Sequence, residues 1–173
     1  MGVTWYDLQY IAVDLRKLRA HNESSPTLQS ILLEQANIIA DAALSKGREL
    51  KFAPLTVAVL DAGGQIKVLK RDDHSSLLRP EIALGKAWGV LGMGFGGREL
   101  ARRAEQMPIF FTALNAMSGG RMVPVPGGVL IRTSEGRLIG SVGISGDNSD
   151  NDEICAVHGV QTAGLVADTG RKD

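Results

Sequence analysis

The amino-acid sequence predicts an α+β fold in which an antiparallel sheet carries helices. Three observations lead there. Residues 55–60 form an apolar, β-branched run, followed across Gly63-Gly64 by the period-two alternation of residues 65–71. A second pair spans residues 129–133 and 137–144, joined through Ser134-Glu135-Gly136. Helical patterns precede, separate and follow these hairpins. That is the order of an α+β domain and not of a parallel Rossmann-type sheet.

The first element is an amphipathic helix over residues 4–20, with Trp5, Leu8, Ile11, Ala12, Leu15 and Leu18 at helical spacing. The polar stretch His21 to Ser25 ends it, and His21 is assigned to solvent. Residues 1–25 therefore read as a helical extension and residues 26–173 as the domain. Ser25-Pro26 suits an N-cap and first turn, opening a helix over 27–46 with Leu28, Ile31, Leu32, Ile39, Ala42 and Ala43 on one face. Gly47 is the expected C-cap. Between the hairpins come helices over 80–91 and 98–106, and residues 123–125 suggest a fifth strand that Pro124 and Pro126 confine to an edge. A last helix is expected from about Ser149 to about 168. Gly85 and Gly89, one turn apart on an apolar helix, allow close backbone approach. With Trp5 and Tyr6 on the added helix, they suggest a homo-oligomer, a dimer at least.

At 173 residues, one domain is expected, able to hide about 70% of its unfolded surface. Lys+Arg and Asp+Glu both count 19, so no global field attracts nucleic acid or anionic lipid. Arg98, Arg102 and Arg103 form a small basic cluster that reads as the solvated face of a helix. Cys155 is the only cysteine, which excludes an intrachain disulfide. The N-terminal residues lack the order of a secretory signal, and no stretch approaches the ~20 apolar residues that span a membrane. The cytoplasm is the expected location.

Two motifs fail on mechanism. Gly92 to Gly97 matches G-x-G-x-x-G, but a helix leads into it where dinucleotide binding requires a strand. Asp147, Ser149, Asn151 and Glu153 imitate an EF-hand, yet the sixth position is Asp152 and the twelfth His158. The segment reads as a helix start capped by Ser149 or Asp150, and no metal is expected. Asp152, Cys155 and His158, spaced i, i+3, i+6, form one stripe on the last helix. The stripe admits two readings: a thiolate with its base and orienting carboxylate, or a small buried apolar group beside a surface histidine. Arg71, Asp72, Asp73 and His74 end a strand, where mixed charge suits gripping a carboxylate but is also ordinary in loops.

Several segments together resemble the GlcG/HbpS family, which includes the C-terminal domain of PduO-type proteins. They are Val59-Leu60-Asp61-Ala62-Gly63-Gly64, Arg71-Asp72-Asp73, and Glu81-Ile82-Ala83-Leu84-Gly85-Lys86-Ala87. Pro126-Gly127-Gly128-Val129, Gly140-Ser141-Val142-Gly143-Ile144-Ser145-Gly146, and Asp152-Glu153 complete the set. The resemblance covers about residues 27–168. It implies a profilin-like, five-stranded antiparallel sheet flanked by helices, and homo-oligomers built from dimers, up to octamers. Family members are linked to haem or corrinoid binding, or lie beside catabolic genes. Two departures stand out: the N-terminal helix, which suggests cover for an oligomer interface, and Cys155 with His158 where the family usually has small or apolar residues.

Three function classes follow. One is a small-molecule-binding protein whose ligand is haem, another tetrapyrrole or a small organic acid. The second is a cofactor-independent hydrolase or isomerase of a catabolic pathway, with Cys155, His158 and Asp152 catalytic. The third is an oligomeric accessory protein without chemistry. The expected pocket has Arg71 and Lys86 on one wall and Gly127 and Gly128 on another, and is closed by the start of the last helix, Asp152 to His158 with Glu153. Lys86 reads either as an anion grip there or as a snorkelling surface lysine.

Overall fold

The structure is a computed structural model that describes residues 29–171. Helix α1 (Leu33–Glu49) leads into the hairpin β1 (Thr56–Asp61) and β2 (Ile66–Arg71). Helices α2 (Arg79–Met93), α3 (Gly97–Gln106) and α4 (Pro108–Met117) follow, then β3 (Gly128–Arg132), β4 (Leu138–Ser145), α5 (Ser149–Thr162) and β5 (Val166–Asp168). The strands form one sheet in the order β2-β1-β4-β3-β5 with every pairing antiparallel. The predicted fold class holds. Among the described residues, no helix is long and apolar enough to cross a membrane.

Strand alternation sorts the core into two layers. Val57, Val59, Val129, Ile131, Val142 and Ile144 point to one face, where Ile39, Ala40 and Ala43 of α1 and Cys155, Ala156 and Val160 of α5 pack on them. The other face presents small residues in register: Ala58 opposite Gly143, and Gly143 opposite Gly128. The backbone of α2 lies on that row. A Cβ at Gly143 would overlap the Ala83 carbonyl and come within 2.6 Å of the Ala87 nitrogen, and one at Gly128 would sit 2.8 Å from the Lys86 carbonyl. Ser141 Oγ donates to the Ala87 carbonyl at 2.8 Å. Beyond it, Val90 and Leu100 close on Leu130.

Several predicted boundaries shift, each for a physical reason. Helix α1 begins at Leu33 instead of 27: Leu32 is extended, and the Ile31 N–H is taken by the Ile139 carbonyl at 2.9 Å. Gln35 Oε1 accepts from the Leu32 N–H at 3.2 Å and satisfies one donor of the first turn. Ser25, Pro26 and the helix predicted over 4–20 lie outside the described residues. Gly47 is not a cap; it is a buried helical position where a Cβ would meet the Leu55 side chain. Residues 123–125 form no strand. They cross α2, with Val123 N–H on the Gly85 carbonyl at 3.3 Å, and a Cβ at Gly85 would come within 2.7 Å of Val123 Cγ2. The close approach predicted for that glycine is thus made inside the chain.

The fifth strand is β5, paired with β3. Helix α5 stops at Thr162, short of 168, because Gly164 takes φ +72° and Leu165 N–H reaches back to the Val160 carbonyl at 3.2 Å, a Schellman ending. Helix α4 is an element that the sequence reading lacks. Its residues are apolar almost all round, so no amphipathic period marks it, and Ile109, Phe110 and Met117 are exposed.

One ion pair ties the two helical layers together past the end of the sheet. Lys86 Nζ of α2 donates to Asp152 Oδ2 of α5 at 2.8 Å, with the side chains 3% and 1% exposed. Burial lowers the Lys86 pKa and raises that of Asp152, in each case against the attraction of the partner. Desolvation is therefore the larger influence on both, and the pair resists loss of one member far more than loss of both. Lys86→Met should cost about 3–5 kcal/mol by leaving a buried carboxylate unpaired. Lys86→Met with Asp152→Leu should recover most of that, as read from urea midpoints at unchanged slope. A single variant within about 1 kcal/mol of wild type would refute this account.

Candidate functional site

The start of α5 is fixed by side chains that close on its first turn. Asn148, not Ser149 or Asp150, is the N-cap, its side chain accepting from Asn151 N–H at 2.9 Å. Asp147 is held below the usual carboxylate range by the backbone N–H groups of Ala53 and Asn148 and by the Asn151 amide. Its oxygens are thereby occupied by protein donors.

From there the predicted stripe divides among three environments. Asp152 turns toward Lys86 beneath Gly127, whose φ is +96°. A Cβ on Gly127 would lie 2.9 Å from both Lys86 Nζ and Asp152 Cβ. Cys155 enters the core between α1 and the sheet, fully buried, and its thiol pKa is pushed up to about 11, first by burial and then by the charge of Asp152. His158 is half-buried and faces a cleft. Lys86, Asp152, Gly127 and Gly128 do come together, but as a packed knot with no open wall. Arg71 is engaged by its own turn: its Nε and Nη2 donate to the Ser75 carbonyl, Nε at 2.9 Å, holding the turn in which His74 has φ +66°. Neither Arg71 nor Lys86 lines the clefts described below.

The cleft that His158 faces has a volume of about 800 Å³ and lies between α5 and the β5 edge of the sheet. Glu153, Ile154, Val157 and Gln161 of α5 form one side of it with His158. Val166, Ala167 and the 168–171 segment form the other, and Lys46, Arg132 and Arg171 bring three cations. Lys46 pairs with Glu49 at 2.9 Å and Arg132 with Asp168 at 2.9 Å. Glu153 Oε1 accepts from Arg98 Nε at 2.7 Å, and Arg98 Nη2 reaches Asp150 at 2.6 Å. Glu153 Oε2 is buried and has no hydrogen-bond partner among the described residues. Burial raises the Glu153 pKa against the pull of Arg98.

Arg98 is thus a structural tether, and Arg102 and Arg103 grip Glu99, which they hold at a pKa of about 2. The glycines of the 92–97 loop have packing roles: Gly94 closes α2 at φ +70°, and a Cβ on Gly96 would overlap the backbone at Thr169. Arg132, Asp168 and Arg171 are not legible as site residues while 166–168 reads as helix, and Lys46, in the last turn of α1, is indistinguishable there from a solvated helix-end lysine. The period-two register of Arg132 was the one signal available.

The environment of Cys155 has a direct consequence. A thiol with a pKa near 11 in the core should react negligibly with a disulfide reagent in the native protein at pH 8 and stoichiometrically in denaturant. Fast labelling of the native form, with retained fold, would contradict the packing described.

The model described as haem degrading protein HbpS-like matches residues 31–161. The corrinoid adenosyltransferase PduO of Citrobacter freundii is 27% identical over 80% of this chain, which spans 40% of that enzyme's length. A crystal structure of a PduOC–heme complex is similar at a TM-score of 0.71 and 25% identity, covering 82% of this chain and 99% of the other. A crystal structure of HbpS is similar at 0.68 and 26%, covering 80% and 94%. With well over half its residues matched and the sheet, its order and its glycine row in place, the chain belongs to the HbpS-like family.

Proposed function

We propose that this chain is a small-molecule-binding protein whose α5–β5 cleft takes haem or a related tetrapyrrole. The observation that carries the reading is the donor set of one cleft: an imidazole, aliphatic side chains and three cations. Ile154, Val157, Val166 and Ala167 suit the apolar faces of a macrocycle. Lys46, Arg132 and Arg171 suit its carboxylates, each charge-assisted contact contributing roughly 1.5–3 kcal/mol. His158 would hold the haem iron, since a neutral imidazole offers one ring nitrogen as donor. When bound, haem would supply an iron centre for ligand or electron exchange. The similar PduOC structure, solved with heme, supports this class of ligand.

Nothing favours the cofactor-independent enzyme. Its nucleophile would be Cys155, whose thiol is buried and pushed away from ionisation, and whose expected base, His158, faces the cleft instead. We also propose a homo-oligomer, supported by the exposed Leu77, Leu78, Ile109 and Met117. Light scattering at micromolar concentration should give at least twice the 18.4 kDa chain mass; a monomer mass would refute the assembly.

Ferric haem titrated into the protein should saturate at one per cleft and develop a Soret band. His158→Ala should weaken binding about tenfold or more and move the band, because the imidazole that would hold the iron is lost. A band of identical position and affinity in wild type and His158→Ala would overturn the assignment, as would no binding at all.

A further inference from the structure

A second concavity of about 610 Å³ lies at the opposite edge of the sheet, between the β1–β2 turn, α2 and the segment that crosses it. Its walls are apolar, with Leu60 and Ile66 from the hairpin, Ile82 and Leu84 from α2, and Val123. Gly63, Gly64 and Gly120 keep side chains away from it. In this largely apolar setting, beside the Gln65 amide, stand two side chains with donors that no described residue accepts from, Arg121 and Trp88. The Arg121 guanidinium lies 4.5 Å over the Trp88 ring, and its Nε donates to the Ser118 carbonyl at 2.9 Å. Among the described residues, its terminal nitrogens have no acceptor and it pairs with no carboxylate. The Trp88 indole N–H likewise has no acceptor among them. The Cβ that Gly64 lacks would come no closer than 3.8 Å to Trp88 Nε1.

We propose that this groove is a binding site for a small aromatic monocarboxylate, distinct from the His158 cleft. Stacking on Trp88 and the bond to Ser118 hold the guanidinium in place before any ligand arrives, so little side-chain freedom is lost on binding. A carboxylate is the acceptor whose geometry matches a guanidinium fork, and the indole N–H adds a donor of the same polarity. The apolar walls favour an aromatic body, which can meet the indole edge-to-face. The carboxylate of Glu81 also lines the groove, so a second acid group on the ligand would face like charge.

Calorimetry on the full chain tests this with 2-naphthoate as the probe and neutral 2-naphthamide as its control. Wild type should bind 2-naphthoate saturably and more tightly than the amide. Arg121→Met should weaken 2-naphthoate about tenfold or more while changing the amide by less than about a factor of two. Naphthalene-2,6-dicarboxylate should bind more weakly than 2-naphthoate and gain in Glu81→Gln. His158→Ala should leave all of these affinities unchanged, which separates this site from the haem reading. Absence of saturable binding at millimolar probe, or a response to His158→Ala but not to Arg121→Met, would overturn the proposal. Binding that appears only after removal of residues 1–25 would overturn it too, since the groove would then belong to the chain's own N-terminal segment.

Discussion

The contact on which the rest depends is that of the α2 backbone with the bare row of the sheet. Ala58, Gly143 and Gly128 lie side by side across β1, β4 and β3, and α2 sits so low on them that a methyl group at Gly143 would overlap it. That depth has consequences at both ends of the helix. It sinks Lys86 below the surface, where a lysine is tolerated only with a partner. The partner can come only from around the end of the sheet, and Asp152 supplies it. The turn above must then have no side chain, which Gly127 satisfies. Ion pair, turn and N-terminal half of α5 are thus one construction.

This explains what could and could not be read from the residues. The hairpins were legible because alternation and glycine turns are local signals, and strand pairings such as Thr56 with Arg71 follow from them. The role of Lys86 was not, because a lysine in an amphipathic pattern looks the same whether it snorkels or is buried. Only the depth of α2, a property of glycines some forty and fifty-five residues further along the chain, decides between them. Similarly, Val166–Asp168 reads as helix by composition, and the αL turn at Gly164 with free strand edge at β3 overrides it. With β5 misread, the opposite wall of the His158 cleft could not be assembled from sequence.

The candidate site was partly legible. Glu153 and His158 were identified as site residues and do line one cleft, whereas Arg71 and Lys86 were grouped with them for their charge, their places at element ends and the matched segments that hold them. Charge is a weak guide here because most cations among the described residues are already engaged. Arg71 holds a turn, Arg98 tethers α5, and Arg102 and Arg103 neutralise Glu99. What separates a binding cation from a structural one is an unused donor, and that is visible only once the hydrogen bonds are known. Arg121 has unused donors among the described residues, and nothing in its sequence surroundings distinguishes it.

Glu153 gives the cleft its electrostatic bias. Its carboxyl is buried, one oxygen has no partner, and its pKa is raised. The folded chain therefore binds this proton more tightly than the unfolded chain does. The associated stability is fully present below the unfolded value and is lost as pH rises through the folded one. Protonated, Glu153 removes one negative charge from a wall where Arg132 is paired with Asp168 and Lys46 with Glu49, and Oε2 can take part as donor or acceptor. Ionised, it sets a negative charge on the same wall. Ionisation of Glu153 therefore works against the approach of any anionic group to this wall, and its protonation removes that opposition.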